Sequence, residues 1–268
     1  MTRISDPVDS KDRHNGFPIA DVNKARRGSS GITISVIIPT LNEESSLPTT
    51  LEHTFRLGFD DIIVADGGSV DRTRDIVVQF ALSQKRDAIR NCPVMSITTQ
   101  PGRGLQMNTA AELSRSDVLL FLHADTILPD HARRSIADSL RDPRCIGGRF
   151  DVQFDRHSNL GRLVSNLMNI RSRMSGIATG DQAIFVRRDV FERMRGYSPI
   201  PLMEDLDFTR RLKKEGHVAA LRDKVTTSYR RWEQRGPVRT ILLMWTIRFL
   251  YWLGVDPRTL SRFYAAVR

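Results

Sequence analysis

Residues 32–40, ITISVIIPT, form an apolar, β-branched run closed by Pro39. A half-exposed strand alternates polar with apolar residues, whereas a near-continuous run marks a strand covered on both faces. Covering both faces takes helices, and the sequence supplies them. Residues 43–57 carry Leu47, Leu51, Phe55 and Leu57 at helical spacing. A second short strand, Asp61 to Ala65, ends at Asp66-Gly67-Gly68-Ser69, and helix signals resume from Asp71 with Ile76, Val77 and Phe80. Pro93–Thr98 reads as a third strand, Gly104–Ser114 as a third helix, and Asp117–Leu122 as a fourth strand running into His123-Ala124-Asp125. Strand and helix thus alternate with short connections. This predicts an α/β fold, a mainly parallel sheet flanked by helices and joined by right-handed crossovers.

The second half changes character. Residues 145–155 read as a strand and 157–173 as an amphipathic helix. Gly180-Asp181-Gln182 leads a short strand to Val186, and Asp189 is placed to cap a helix. A charged helix from Glu204-Asp205 to Gly216, more short strands and an apolar C-terminal helix complete the chain. The change near residue 145 reads as a change of role within one compact unit. Residues 1–31 are polar, rich in Gly, Ser, Lys and Arg, and read as a disordered leader without the apolar core of a signal peptide. A cytoplasmic protein is the expectation.

Composition narrows the function classes. At 268 residues, 40% hydrophobic and 27% charged, the chain has the make-up of a globular protein. Cys92 and Cys145 offer no metal-ligand spacing and read as reduced thiols. The net charge of +10 is spread over scattered pairs such as Arg133-Arg134 and Arg210-Arg211. A solvated surface explains it, so no specific nucleic-acid partner is expected. The longest apolar run, residues 241–253, is interrupted by Thr246 and Arg248. It is shorter than the roughly 18–20 residues needed to span a bilayer. Two readings stay open: a helix packed on the body of the protein, or an interfacial helix over 239–253 with Trp245, Tyr251 and Trp252 at headgroup level.

Ligands of parallel α/β sheets bind beyond the carboxyl ends of the strands. Here those tips carry Asn42-Glu43, Asp66-Gly67-Gly68, Gly102-Arg103-Gly104 and His123-Ala124-Asp125. Neither a GK[ST] phosphate loop nor a GxGxxG dinucleotide fingerprint is present. Asp125, alone at a strand tip, is either a turn cap or the anchor of a hard cation gripping a diphosphate. His123 is either packed and hydrogen-bonded or a second metal ligand. Glu204, Asp205 and Asp207 suit a helix N-terminus by charge alone, or supply a general base. Asp181 is placed to line the same cavity.

In order, SVIIPTLNEE (35–44), DGGSVDRT (66–73), HAD (123–125), GDQ (180–182) and MEDLDFTRRL (203–212) resemble the family-2 glycosyltransferases of the GT-A fold. QPGRGLQMNTA (100–110) and TSYRRWEQRG (227–236) are similar to a bacterial subgroup described as radical-SAM/selenodomain-associated. The resemblance implies a Rossmann-like nucleotide-binding half to about residue 130, an acceptor half to 235, and C-terminal helices over 236–268. It implies that Pro39 and Glu43 border the nucleoside and that Asp66 bonds the base. Arg103, with Gln106 and Asn108 on the next turn, would approach the nucleotide-sugar. His123-Ala124-Asp125 stands where the family carries Asp-x-Asp, so Asp125 would hold Mg²⁺ or Mn²⁺. Glu204-Asp205 matches the catalytic pair, with Asp205 as the base of an inverting displacement. Trp232 falls on the acceptor side, and the acceptor is an unknown hydroxyl compound, a lipid-like one if the interfacial reading of 239–253 holds. Two rivals are a metal-dependent nucleotidyltransferase and a non-enzymatic basic binding module.

Overall fold

A computed structural model of the chain describes residues 31–84, 92–156, 158–230 and 236–267. Most of the leader and Trp232 lie outside the described residues. The first half follows the alternation in the sequence: β1 (Ile34–Thr40), α1 (Leu47–Arg56), β2 (Asp61–Asp66), α2 (Thr73–Gln84), β3 (Val94–Thr98), α3 (Arg103–Leu113) and β4 (Val118–Phe121). These strands are parallel and lie in the order β3-β2-β1-β4. The expected helix over 43–57 begins only at Leu47. Glu43–Ser46 form a turn in which the Glu43 carbonyl accepts from both Ser46 and Leu47. Pro48, within the first turn, suits a helix start because its missing N–H costs nothing there.

Every residue of β1 is buried. Strand periodicity sends alternate side chains to opposite faces, and the core divides accordingly. Ile34, Val36, Ile38, Ile62, Val64, Val118 and Leu120 pack with Leu47, Leu51 and Phe55 of α1. Ile37, Ile63, Ala65, Leu119 and Phe121 pack on the other face with Met107, Ala110 and Ala111 of α3. Each such side chain contributes about 1.5–3 kcal/mol of transfer free energy when fully buried. β1 is therefore locked in register from both sides.

The second half extends the same sheet. Its elements are β5 (Thr126–Ile127), α4 (Ala132–Ser139), β6 (Cys145–Phe154), α5 (Asn159–Ser175), a 3-10 turn (Gly180–Gln182), β7 (Ile184–Arg187), α6 (Arg188–Arg193), α7 (Glu204–Glu215), β8 (His217–Thr227), α8 (Pro237–Trp252) and α9 (Pro257–Val267). β7 runs antiparallel to β4, and the eight-strand order is β3-β2-β1-β4-β7-β6-β8-β5. Two expectations change. The "more short strands" after Gly216 are one strand of 11 residues, β8, paired parallel with β6 through two register shifts. Asp189 does not cap α6: Arg187 occupies the cap position without a side-chain bond, and Asp189 adds its charge to the first turn instead.

α8 ties the second half together. Ile247, fully buried, packs with Met203 and Leu260, and Ile241 packs on Phe154, Val164 and Tyr229. The opposite face leaves Leu242, Trp245, Phe249 and Trp252 between 57% and 78% exposed. No helix among the described residues is long and apolar enough to cross a membrane.

The crossing of β6 with β7 generates a stability prediction. A methyl group on Gly148 would stand 2.4 Å from the Phe185 ring and 2.7 Å from the Ala219 carbonyl oxygen. Gly148→Ala should lower unfolding free energy by about 1–3 kcal/mol through overpacking, seen as an earlier urea midpoint with an unchanged slope.

Candidate active site

At the carboxyl edge of the sheet, the β1–α1 and β2–α2 loops are stitched together by short polar side chains. Asn42, held at φ 56°, accepts from Val70 N–H through Oδ1 at 2.9 Å, while its own N–H donates to Ser69 Oγ at 2.8 Å. Glu43 N–H donates to Thr73 Oγ1 at 2.8 Å, and Glu44 N–H to Asp71 at 3.1 Å. Asp66, 1% exposed, accepts from the backbone N–H groups of Gly68 and Ser69 and from the hydroxyls of Ser69 and Thr40. Its oxygens thus organise the glycine turn. Pro39 is buried in β1 beside Ala65, one residue short of the tip.

Two residues expected to face the nucleotide are committed to the backbone. The Gln106 amide nitrogen donates to the carbonyls of Thr40 and Ala65, both at 2.8 Å, bridging the ends of β1 and β2. Asn108 exchanges two bonds with Tyr197, donating to its carbonyl at 2.9 Å and accepting its N–H at 2.8 Å. The aromatic cluster of Phe121, Phe191, Tyr197 and Phe208 lies under this clamp, with Tyr197 stacked on Phe208 at 4.3 Å. Both amides tie loop main chain together through these bonds. Gly104 has a similar use. A methyl group there would stand 3.0 Å from the Ser198 carbonyl and 3.7 Å from Glu204 Cβ, so a glycine lets the loop before α7 close on α3.

Arg103 is the point of convergence. Burial works against its charge, but Glu204, Asp181, Asp205 and Asp125, in that order, hold its pKa above the ordinary value. The nearest approach is 4.0 Å, to Glu204, and nearly half of the Arg103 side chain remains exposed. Of the four carboxylates only Asp125 belongs to the parallel half; the other three come from the 3-10 turn and the start of α7.

The geometry of those acids is tightly set. Asp205 accepts from Gly180 N–H through Oδ2 and from Leu206 N–H through Oδ1, both at 2.7 Å. Met203, buried with φ 69°, turns the chain into α7 in a left-handed conformation that side chains rarely adopt. Ala183, just after the 3-10 turn, has φ 47°. Strained residues held by their surroundings cluster at functional sites. Glu204 is 6% exposed, and burial together with the Asp205 charge pushes its carboxyl above the usual value, against the pull of Arg103.

His123 is packed against the 3-10 turn. Its Nδ1 lies 3.1 Å from Asp181 Oδ1, and its Nε2 abuts Gly180, where a methyl group would come within 2.2 Å. Asp125 differs: among the described residues its carboxylate makes one long hydrogen-bond contact, 3.5 Å from Thr126 Oγ1. Among the described residues no three His, Cys, Asp or Glu side chains form a protein-only metal site. The donor set fits a Mg²⁺-type ion held through one carboxylate, with the remaining oxygens supplied by a diphosphate and water.

Residues 35–195 match the family model described as glycosyl transferase family 2. The chain belongs to that family. Glucosyl-3-phosphoglycerate synthase of Mycobacterium tuberculosis is 28% identical over 126 residues, 46% of this chain and 37% of that protein. The probable glycosyltransferase YdaM of Bacillus subtilis is 30% identical over 205 residues, 69% of this chain and 47% of that protein. The chain thus aligns with less than half the length of either relative. Among solved structures, a mannosyltransferase from Pyrobaculum calidifontis, in complex with GDP-Man and Mn²⁺, superposes with a TM-score of 0.57 at 19% identity, over 73% of this chain and 56% of that one. At that identity the likeness establishes the GT-A-type fold.

Glu204 supplies a pH test of the geometry. A carboxyl whose pKa is raised on folding binds more protons in the native state, so its favourable contribution is present below the unfolded value, near 4.5, and is lost as pH rises through the folded one. Glu204→Gln should therefore raise Tm at neutral pH relative to the parent. The gain should shrink to nothing toward pH 4.5, in paired thermal melts across pH.

Proposed function

We propose that this chain transfers a glycosyl group from a UDP- or GDP-sugar to an acceptor hydroxyl, with inversion at the anomeric carbon. The observation that carries the reading is the convergence of Asp125, Asp181, Glu204 and Asp205 on the half-exposed Arg103 at the carboxyl edge of the sheet. Family membership supports it. The subgroup suggested by residues 100–110 and 227–236 is part of the same proposal.

Asp205 is the base. The two N–H donors fix its orientation and leave a lone pair on each oxygen for an incoming proton. The acceptor oxygen forms a bond to the anomeric carbon as the bond from that carbon to the diphosphate breaks. The acceptor's proton passes to Asp205, and the nucleoside diphosphate leaves with the bonding electron pair. Arg103 faces the diphosphate, and Glu204, mostly buried, keeps Arg103 in place. Pro39, Glu43 and the turn built by Asp66 border the nucleoside. Trp232 is assigned to the acceptor side.

Four carboxylates around one arginine would repel a diphosphate if left uncompensated. A divalent cation, Mg²⁺ or Mn²⁺, when bound neutralises the charge that develops on the leaving diphosphate. Asp125 is the residue that would hold it. The Mn²⁺ of the Pyrobaculum calidifontis mannosyltransferase complex supports a cation of this type. The exposed apolar face of α8, with Trp245 at 62% and Trp252 at 78%, supports contact with a membrane surface and hence a lipid-like acceptor.

A thermal-shift screen of UDP-, GDP- and dTDP-sugars with Mn²⁺ tests donor binding, and absence of any response would remove the reading. Asp205→Asn should retain donor binding while turnover falls by about 10²–10⁴-fold. Near-normal turnover in that variant would unseat Asp205 as base. Asp125→Asn should abolish the Mn²⁺-dependent part of the thermal shift, measured with and without chelator.

A further inference from the structure

Two arginines on helices of the second half carry buried nitrogens that, among the described residues, have no hydrogen-bond partner. Arg171 lies on α5 and Arg248 on α8. Arg171 Nε and Nη2 and Arg248 Nε are buried and, among the described residues, have no hydrogen-bond partner. A buried donor left unmade costs about 1–3 kcal/mol, more when charged, so a native fold that keeps three in one place calls for an explanation. Arg248 follows Ile247, the fully buried residue that seats α8 on Met203, immediately before Glu204 and Asp205. Ile241, nearly two turns earlier, seats the same helix on Val164 of α5. That packing leaves both guanidinium groups within charge interaction of Asp205 and Asp181.

Their electrostatics agree with that placement. Burial, then the neighbouring Arg248 charge, pushes Arg171 down to about 10, against the pull of Asp205 and Asp181. Burial also lowers Arg248, again against Asp205 and Asp181. The two cations repel one another, and the nearby acids do not fully offset their desolvation. A third negative group between them would relieve both.

We infer that Arg171 and Arg248 form an anion subsite for the acceptor, and that the acceptor carries a phosphate or carboxylate group close to the hydroxyl that Asp205 deprotonates. The inference rests on the glycosyltransferase reading and adds the chemical class of acceptor. Guanidinium groups bind such oxyanions through paired N–H donors, and the unmade donors are of that kind. The loops assigned to the nucleoside lie at the ends of β1 and β2, on elements other than α5 and α8, so this subsite is separate from the nucleoside's. The anion could be soluble or the headgroup of a lipid seated against the apolar face of α8; the chemistry at the arginines is the same.

The test uses the full chain saturated with a nucleoside diphosphate and Mn²⁺, with inorganic phosphate titrated by thermal shift against chloride of equal ionic strength. Phosphate should raise Tm further in the parent. Arg171→Gln and Arg248→Gln should each weaken phosphate binding by at least about tenfold, with nucleoside diphosphate affinity unchanged. Arg248→Lys, which keeps the charge and loses the planar fork, takes the place of a glutamine variant that fails to fold. Because the arginines carry unmade donors, ligand-free Tm in the variants should equal or exceed the parent's. Phosphate affinity that survives both substitutions, or phosphate that displaces the nucleotide, overturns the subsite alone. A parent protein that binds no nucleoside diphosphate overturns the underlying function as well. Phosphatidylcholine vesicles with and without phosphatidic acid separate the sources. Binding that needs phosphatidic acid and Arg248 supports a lipid headgroup, whereas a phosphate response without vesicle binding supports a soluble anion.

Discussion

Burial of β1 on both faces is the constraint from which the rest of the molecule follows. A strand with no exposed residue must hand alternate side chains to helices above and below, and its neighbours must do the same. Parallel pairing then aligns the carboxyl ends of β1, β2 and β4 at one edge, where the chain turns out of the sheet. Backbone groups at those turns have no ladder partner. Asp66, Asn42, Thr73 and Gln106 satisfy many of them, which is why that edge of the sheet is dense with polar contacts to the main chain.

The charge arrangement depends on a second set of constraints. Asp205 is held by an N–H from the 3-10 turn, and that turn is held by the His123 ring packed against Gly180. A larger residue at 180 would collide with the imidazole, so the histidine at the tip of β4 and the glycine facing it form one packing unit. Arg103 can enter the ring of acids because Gly104 allows the Ser198–Glu204 segment to approach α3 closely. The geometry of the candidate site is thus set by close backbone approach as much as by the charged side chains themselves.

Much of this was legible in the sequence. The alternation of ITISVIIPT with helical spacing predicted the parallel half, and the acids at 125, 181, 204 and 205 were singled out by position and family resemblance. Other features were not legible, for physical reasons. The backbone bonds of Gln106 and Asn108 could not be read from the sequence, because an amide near a glycine loop suits a backbone carbonyl as well as a phosphate. In the sequence Arg248 stood out only as an interruption of an apolar run. In the structure its Nε is buried beside the site, since Ile247 and Leu243 seat that side of α8 on the protein.

The sequence by itself determined the parallel architecture, the family and the cluster of acids, because hydrophobic periodicity and short motifs are local properties of the chain. Tertiary structure alone decided which of the conspicuous polar residues bond the backbone and which gather around Arg103. It also turned Arg171 and Arg248, 77 positions apart, toward the same carboxylates. Those outcomes depend on how α5 and α8 pack on β6 and α7, a long-range constraint that no local pattern encodes.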